Sequence, residues 1–505
     1  MSSKKDVFLE EARLGPRSDV LVECEEIPNL PRLIRRFKEY VLTDLAHAVM
    51  LTETGIITSA RGAKLLSGLI LMWESEGEGF PYLPKVGSFL VQTEHFLSER
   101  IDEDIAGRLQ TGRSRNDQSA EAERLFLRDL LLEVSKHLML LQNAVLNQAK
   151  AHANSLMPGY THLQHAQPTT FGHHLMRYAA AFDRDLERIS GAYAHVNLSS
   201  LGGAAMAGTS WPIDRVRTAE LLGHDGLAVN SSDAGGFARD YIEETVAALS
   251  ILMANMGRLA NDLYVWSSWE FGYVQVADAL AGTSSIMPQK KNPHSLERIK
   301  SLSGQATGWF AGVAGCQHSV FSTDLDLTFA DDALSGMGDA TIQSLRLACA
   351  TIETIEINAD RMADSAGAFW STTSHLADEL VRRYDLSFRA AHHIIGRFVR
   401  DSIAADKTPA DVEADALVKA GLEMADIKLD MNTTELRESL DARAFLFSRA
   451  SIGSVNPSET EAHVENLREA LKKHREWCEG AKTKVDNSLN DLLSCAHSIA
   501  ANTGS

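Results

Sequence analysis

Hydroxyl groups, amines and a predicted helix start converge in residues 282–299, which read GTSSIMPQKKNPHSLERI. The Gly, Thr and two Ser residues before Pro288 favour a mobile loop that exposes hydroxyl groups, because these residues form poor helices. Two lysines and an asparagine follow, and Pro293 opens a helical pattern with Asn292 as the predicted N-cap. Donors, cations and a helix N-terminus are what an anionic ligand needs. This stretch therefore predicts a site for a small anion.

Residues 111–118, TGRSRNDQ, precede the longest helical pattern of the chain. Ser114, Arg115 and Asn116 can donate hydrogen bonds to a carboxylate at a helix N-terminus. A plain helix-capping segment explains the same residues, and both interpretations stay open at this point.

Two more stretches combine residues that a buried core does not require. Residues 158–172, PGYTHLQHAQPTTFG, supply the neutral donors Thr161 and Gln164, and His162 can move a proton near neutral pH. The alternative for His162 is a packed or solvated bystander, since the chain has 18 histidines. Residues 199–215, SSLGGAAMAGTSWPIDR, allow close backbone approach to a ligand, or form a tight joint between helices.

Long helices must position these stretches. The 12 prolines leave three long gaps, between Pro84 and Pro158, between Pro212 and Pro288, and between Pro293 and Pro409. Helical spacing of apolar residues within and beside these gaps predicts helices at about 116–155, 169–196, 236–270, 294–320 and 332–366. Asn116 or Asp117 is the predicted cap of the first. We find no alternating β pattern, so the predicted class is all-α, with long helices packed lengthwise in a bundle.

The length of 505 residues favours about three domains. Prolines and turn-rich joints place shorter helices at both ends of the chain. We predict an N-terminal helical domain over 1–112, a central long-helix bundle over 113–366 and a C-terminal helical domain over 367–505.

Composition excludes several classes of protein. A formal net charge of −19 argues against a nucleic-acid partner, which requires clustered cations. No apolar run is long enough to span a membrane, and the first residues have no apolar signal core, so we expect a cytoplasmic protein. The chain has no phosphate-binding loop, dinucleotide fingerprint or metal-ligand spacing. We therefore predict no metal and no cofactor.

Taken together, the four stretches resemble the fumarase and aspartase superfamily. The superfamily pattern S-S-x-M-P-x-K-x-N is complete from Ser284 to Asn292. Within the superfamily, TGRSRNDQ, PGYTHLQHAQP, SLGGAAMAGT and MPQKKNP resemble the argininosuccinate lyase branch, and EHFLSERI, which contains His95, is a further match. The resemblance covers roughly residues 85 to 470.

The resemblance implies a homotetramer with a central bundle of about twenty helices and active sites built from three subunits. It also implies anti elimination of an amine from an N-substituted aspartate to give fumarate. In that reaction Ser284 would be the base, Lys290 and Asn292 would hold the carboxylate, and Glu297 would partner His162. The full set of implied residues is Ser284, His162, Glu297 and Lys290 for catalysis, with Ser114, Arg115, Asn116, Thr161, Gln164, Ser285, Asn292 and His95 for substrate binding.

The sequence departs from the argininosuccinate lyase pattern on the amine side of the site. The T-Y-N-[KR]-D-L-Q-E-D-K stretch of that branch is replaced by FSTDLDLTFADDAL at residues 321–334, and His294 stands where Asp usually follows K-K-N-P. Residue 283 is Thr where Gly is usual, and the N-terminal W-G-G-R-F segment is missing. The new acidic residues, which could recognise a cationic amine or act only as caps and solvated carboxylates, are Asp324, Asp326, Asp331 and Asp332, beside Thr328.

These departures favour a substrate that is an N-substituted aspartate other than argininosuccinate. The predicted function resembles that of an ethylenediamine-disuccinate (EDDS) lyase. The alternatives are argininosuccinate itself, a hydratase or adenylosuccinate-type lyase, and a non-catalytic protein like the lens crystallins of the superfamily.

Overall fold

The computed structural model describes residues 17–237, 239–317 and 330–502, and these residues form an almost entirely helical protein. The predicted all-α class is confirmed. The α-helices of the described ranges are α1 Asp19–Leu21, α2 Ile27–Arg35, α3 Phe37–Glu53, α4 Ser59–Glu74, α5 Phe89–Ser98, α6 Glu103–Ala106, α7 Arg115–Ala151, α8 Phe171–Val196, α9 Arg215–Leu222, α10 Asp240–Trp266, α11 His294–Gly315, α12 Asp331–Thr354, α13 Ala359–Gly367, α14 Thr373–Tyr384, α15 Phe388–Ala404, α16 Ala414–Ala425, α17 Thr433–Ser439, α18 Ala442–Phe447 and α19 Pro457–Ala501.

Short strands connect some of these helices. They form four two-stranded sheets, in which β1 Leu156–Thr161 pairs with β2 Gln164–Thr170, β3 Leu198–Ser199 with β4 Gly226–Leu227, β5 Val274–Gln275 with β8 Glu356–Ile357, and β6 Gly282–Thr283 with β7 Lys291–Asn292. The β3–β4 pair is parallel and the others are antiparallel. None of these strands was predicted. Most are only two residues long, too short to show an alternating pattern.

Five long helices form the central bundle: α7, α8, α10, α11 and α12. Apolar residues recur along one face of α7, where Leu131, Leu138 and Val145 are fully buried at seven-residue spacing. The α7 helix has 37 residues, so it extends about 55 Å at 1.5 Å per residue. Neighbouring long helices cover that length in one continuous apolar core.

Successive bundle helices run in opposite directions. At one end, Arg124 near the start of α7 donates to the backbone oxygen of His195 near the end of α8, and His195 in turn contacts Glu244 near the start of α10. At the other end, His174 near the start of α8 contacts Asp262 near the end of α10. We call the first the Ser114 end and the second the Ser284 end. The 27 residues of α10 separate them by about 40 Å.

The terminal regions pack on this bundle. Helices α3, α4 and α5 build a second apolar core that also includes Leu125 of α7. A third core lies among α14 to α17. The 45-residue α19, which begins in the predicted C-terminal domain, contributes Leu471 to the bundle core and Leu492 to the N-terminal core. The three-domain division itself stays a prediction.

Three predicted helix boundaries were wrong. The helix predicted over 332–366 is two helices, because Ile355 is extended and Glu356–Ile357 pairs with β5, after which Asn358 caps α13. The cap of α7 is Ser114 and not Asn116 or Asp117. Helix α11 begins at His294, and its N-cap is Pro293 and not Asn292. Among the described helices, none is long and apolar enough to cross a membrane.

Candidate active site

Ser114 begins the longest helix of the bundle through a capping box. Its Oγ accepts the backbone N–H of Asn116 at 3.3 Å, and Asp117 Oδ1 accepts the backbone N–H of Ser114 at 2.7 Å. This turn leaves Arg115 exposed and Asn116 partly exposed at the start of α7. The capping interpretation of residues 111–118 is therefore correct for Ser114. Its hydroxyl hydrogen is still able to donate to a ligand.

Asp117 also holds the small-residue stretch 199–215. Its Oδ2 accepts the backbone N–H of Gly202 at 2.9 Å and that of Ala204 at 3.2 Å. Burial raises the pKa of Asp117, while the N–H groups of Ser114, Ala204 and Gly202 act in the opposite direction. The structure thus brings two of the four predicted stretches together at the Ser114 end.

One helical turn further along α7, Glu121 also holds the small-residue stretch 199–215. Its Oε2 accepts the backbone N–H groups of Ser200 and Leu201, and its Oε1 contacts His224 Nε2. Burial alone would raise the pKa of Glu121, but the contact with His224 and the bond from Ser200 hold it below its usual value. Two carboxylates of α7 therefore fix the path of residues 200–204.

His162 lies at the tip of the β1–β2 hairpin, at the Ser284 end of the bundle. Its φ is 55° and that of Leu163 is 59°, as a two-residue hairpin turn of type I′ requires. Neither residue is glycine, so the turn is strained, which is a common feature of functional sites. The four residues from Thr161 to Gln164 are exposed, and Tyr160 anchors the hairpin through a 2.7 Å hydrogen bond to Tyr273.

The Ser284 loop connects β6 to β7 at the same end of the bundle. Ser284 Oγ accepts the backbone N–H of Ile286 at 3.2 Å and that of Met287 at 3.0 Å. Two amide dipoles aimed at one hydroxyl oxygen stabilise negative charge on it. The loop residues 285–290 are exposed, so Ser285 and Lys290 face away from the rest of the described chain.

The base of this loop is braced at two points. Lys291 Nζ lies 2.6 Å from Asp278 Oδ1, so this lysine is paired, and the lysine of the superfamily pattern is the neighbouring exposed Lys290. The His294 ring lies directly against Gly282, in the space that a β-carbon at residue 282 would fill. Asn292 is partly exposed in β7, next to both contacts.

Glu297 is exposed in the first turn of α11. The Tyr264 hydroxyl donates to its Oε1 at 3.4 Å, and Lys300 Nζ lies 3.6 Å from the centre of the Tyr264 ring. Among the described contacts, no hydrogen bond or ion pair joins Glu297 to His162. The pair that the resemblance implies is not formed within one chain.

All the predicted residues except His95 thus divide into two groups at opposite ends of the bundle. Ser114, Arg115 and Asn116 lie at the Ser114 end. The members of the other group lie at the Ser284 end and are Thr161, His162, Gln164, Ser284, Ser285, Lys290, Asn292 and Glu297. His95 lies in α5 of the N-terminal region, where its Nε2 is 3.8 Å from Glu99 Oε1.

The amine side of the site is described only in part. Asp324, Asp326 and Thr328 lie outside the described residues. Asp331 is buried and forms an ion pair with Arg36, which also binds Glu123 at 2.9 Å. The structure therefore removes Asp331 from the acidic residues that could contact a substrate.

Several positioning residues were missed at the sequence level. Glu121 and His224 are more than 100 residues apart, and no local pattern links them. Asp117 could have been found, because Ser114 and Asp117 have the i, i+3 spacing of a capping box. In the described ranges, no three His, Cys, Asp or Glu side chains are grouped in a way that could hold a metal ion.

The fold and the four motif stretches define an enzyme of the lyase class. Residues 86–308 match the lyase family model, and residues 370–446 match the model for the argininosuccinate lyase C-terminal region. The argininosuccinate lyase of Methanocaldococcus jannaschii is 37% identical over 459 residues, which cover 91% of this chain and 93% of that relative. The argininosuccinate lyase of Methanococcoides burtonii is 38% identical, and the match covers 90% of this chain and 92% of that relative.

A solved structure shows the same fold over nearly the whole chain. The structure of EDDS lyase in complex with formate superposes with a TM-score of 0.86 at 30% identity, covering 95% of this chain and 93% of the other. The chain belongs to the argininosuccinate lyase branch of the fumarase and aspartase superfamily. It is a carbon–nitrogen lyase of the fumarate-releasing type.

Proposed function

We propose that this enzyme cleaves argininosuccinate to arginine and fumarate, with Ser284 as the base. The observation that carries the chemistry is the pair of backbone N–H groups on Ser284 Oγ. The substrate rests on the curated relatives, which are named argininosuccinate lyase and match about nine tenths of the chain. Both products follow from breaking one C–H and one C–N bond of the succinyl group.

The two amides make a serine base chemically reasonable. A serine hydroxyl is a weak base unless its alkoxide is stabilised, and preorganised donors supply that stabilisation without further rearrangement. The alkoxide removes the Cβ proton of the N-substituted aspartate, the electron pair forms the C=C bond of fumarate, and the C–N electrons leave with the amine. Donation by Ile286 and Met287 ties base strength to the shape of the loop.

Donors around the neighbouring carboxylate complete the reaction. As the proton leaves, this carboxylate becomes a doubly charged aci-carboxylate, so donors fixed around it stabilise the transition state more than the ground state. We assign this role to Lys290 and Asn292, together with Ser114, Asn116 and Thr161. Ser285, Gln164, Arg115 and His95 complete the substrate contacts in this proposal.

A homotetramer is part of the proposal. Ser114 and Ser284 lie at opposite ends of a bundle whose helices extend about 40 Å, too far apart to contact one small substrate within a chain. Antiparallel association of bundles brings the Ser114 end of one subunit to the Ser284 end of another. A homotetramer with two subunits in each direction also brings two Ser284 ends together, so the exposed His162 of one subunit meets Glu297 of another, where His162 would donate the proton to the departing nitrogen.

EDDS is a second candidate substrate. Two observations favour it: the structural similarity to EDDS lyase and the departures at His294 and residues 321–334. The acidic-residue argument for a different amine is weaker than the sequence suggested, because Asp331 is paired with Arg36. The curated relatives, which are named argininosuccinate lyase, therefore decide the order of the two candidates.

One assay tests both candidates. The purified protein is incubated separately with argininosuccinate and with EDDS while fumarate absorbance is followed. We expect turnover of argininosuccinate with kcat/KM within the usual enzyme range of about 10⁴–10⁸ M⁻¹s⁻¹. Faster turnover of EDDS would replace the first candidate by the second. Release of fumarate from neither compound would overturn the proposal.

A further inference from the structure

A buried aspartate of α3, Asp44, contacts the turn at the start of α7 that contains residues 113–118, which we call the Ser114 turn. Asp44 Oδ1 lies 2.6 Å from Arg113 Nη2 and accepts a hydrogen bond from Gln118 Nε2 at 2.7 Å. The side chains of Asp44 and Arg113 are both fully buried. Arg113 precedes Ser114 and Gln118 follows the turn, so one carboxylate oxygen holds both sides of it.

The next turn of α3 adds a third contact. The Nε2–H of His47 donates to the backbone oxygen of Thr111 at 2.9 Å. Burial and the nearby Arg113 charge hold the pKa of His47 well below its ordinary value, so the ring is neutral. Helix α3 therefore contacts residues 111, 113 and 118 of TGRSRNDQ.

These inward contacts leave the intervening residues at the surface. Arg113, Asp117 and Gln118 are buried, whereas Ser114 and Asn116 are partly exposed and Arg115 is exposed. The exposed face carries the donors that we assign to the substrate carboxylate. The buried face carries the groups that fix those donors in place.

The negative charge of Asp44 compensates the buried positive charge of Arg113. A fully buried guanidinium needs a compensating carboxylate, and removal of one partner leaves the other charge uncompensated. An asparagine at residue 44 keeps an oxygen for Gln118 but removes the charge that attracts Arg113. The expected result is a shift of the turn rather than loss of the surrounding helices.

We propose that Asp44 is a positioning residue for catalysis: through Arg113 and Gln118 it fixes Ser114 and Asn116 against the substrate carboxylate. The inference rests on the proposed function and goes beyond it, because the N-terminal helices become part of the catalytic apparatus. Asp44 itself does not touch the substrate. Donor placement within about 1 Å is sufficient to change a rate by up to about 100-fold.

The bundle offers a control aspartate with the same types of partner, an arginine and a side-chain amide, of which the arginine is partly exposed. Asp185 of α8 is also buried, and it accepts hydrogen bonds from one arginine, Arg188 at 2.7 Å, and from one side-chain amide, Asn255 at 2.8 Å. Burial raises the pKa of Asp185 and of Asp44 alike. Asp185 lies in the middle of the bundle helix, away from the Ser114 turn.

The test compares Asp44→Asn with Asp185→Asn by thermal unfolding and by steady-state fumarate release. We expect both variants to lose thermal stability. Asp44→Asn is expected to lose at least about tenfold in kcat/KM, and Asp185→Asn less than about twofold. The loss should fall on kcat more than on KM, because these donors strengthen as the carboxylate gains charge. Asp44→Glu, which restores the charge, is expected to recover part of kcat.

Gln118→Met is the second variant, for the case in which Asp44→Asn does not fold. It keeps the Arg113–Asp44 pair and removes one hydrogen bond, so we expect a kcat loss of about threefold or more. Wild-type kcat/KM in Asp44→Asn, or in Gln118→Met if the former does not fold, would overturn the inference and leave the proposed function intact. An equal kcat loss in Asp185→Asn would overturn it as well. A wild-type protein that neither releases nor binds fumarate would overturn the proposed function and this inference together.

Discussion

Asp117 accepts the backbone N–H of Gly202 at 2.9 Å, and with its other carboxylate oxygen it accepts that of Ser114 at 2.7 Å. One buried side chain therefore fixes two motif stretches that are 85 residues apart in sequence. Both stretches lie at the Ser114 end, which carries the assigned carboxylate donors Ser114 and Asn116. The relative position of these stretches depends on a side chain that has no direct role in the chemistry.

Asp117→Asn tests this dependence. The new amide group places an N–H donor opposite a backbone N–H, which leaves a buried donor unsatisfied. We expect the free energy of unfolding to fall by about 1–3 kcal/mol and kcat/KM to fall at least about tenfold. Denaturant unfolding and fumarate release measure the two effects. A variant with reduced stability but unchanged kcat/KM would show that the two stretches do not need this connection.

Gly282→Ala tests whether the base of the Ser284 loop is set by its contact with His294. The His294 ring occupies the space of a β-carbon at residue 282, so alanine must displace the ring or the β6–β7 pair. We expect kcat to fall about tenfold while thermal stability changes little, since the loop is exposed.

The double variant Gly282→Ala with His294→Ala supplies the control. Removal of the ring makes room for the methyl group, so the two substitutions should couple by about 1–2 kcal/mol in the activation free energy. Strictly additive losses would mean that the contact does not set the position of the Ser284 loop.

The buried side chain of Glu94 is expected to make the free energy of unfolding depend on pH. Burial, opposed by Arg113 and reinforced by Asp44, raises the pKa of Glu94 from 4.5 to about 7. Between these two values the folded state binds more protons than the unfolded state, so the Glu94 contribution to stability falls as pH rises from about 4.5 to about 7.

Glu94→Gln removes this pH-dependent loss. At pH 5 we expect the variant and the wild type to differ little, and at pH 8 we expect the variant to be more stable by about 3 kcal/mol. Urea unfolding at both pH values, at equal protein concentration, measures the difference. The exposed Glu103→Gln is the control, and a pH-independent difference for Glu94→Gln would contradict the assigned cause.

The sequence predicted the helical class because proline-free, leucine-rich segments such as α7 have a clear 3.6-residue period. The break after α12 was missed because it depends on pairing between Glu356–Ile357 and Val274–Gln275, about 80 residues away in sequence. Alternation cannot be recognised in two residues. The same reason applies to β6 and β7.

The sequence supplied candidate site residues but not their arrangement. The motif residues Ser284 and Ser114 were predicted from stretches rich in hydroxyl and charged residues, yet the sequence does not show that one chain holds them at opposite ends of a bundle. Asp44 and Glu121 were missed because each is a single acidic residue in a helix whose partners are distant in sequence. Their burial is a tertiary property, and it alone distinguishes them from solvated carboxylates.

The separation of the two residue groups leads to a test by subunit mixing. Ser284→Ala and Asn116→Ala are each expected to abolish most fumarate release, because one lacks the base and the other a carboxylate donor. If the two ends come from different subunits, joint unfolding and reassembly of the two variants restores about a quarter of the sites, since each position is intact half of the time. A matched mixture of Ser284→Ala with Lys290→Ala should not recover, because both changes lie in one loop of one chain. Recovery in neither mixture would mean that each site is built from a single chain, and it would overturn the shared-site assembly.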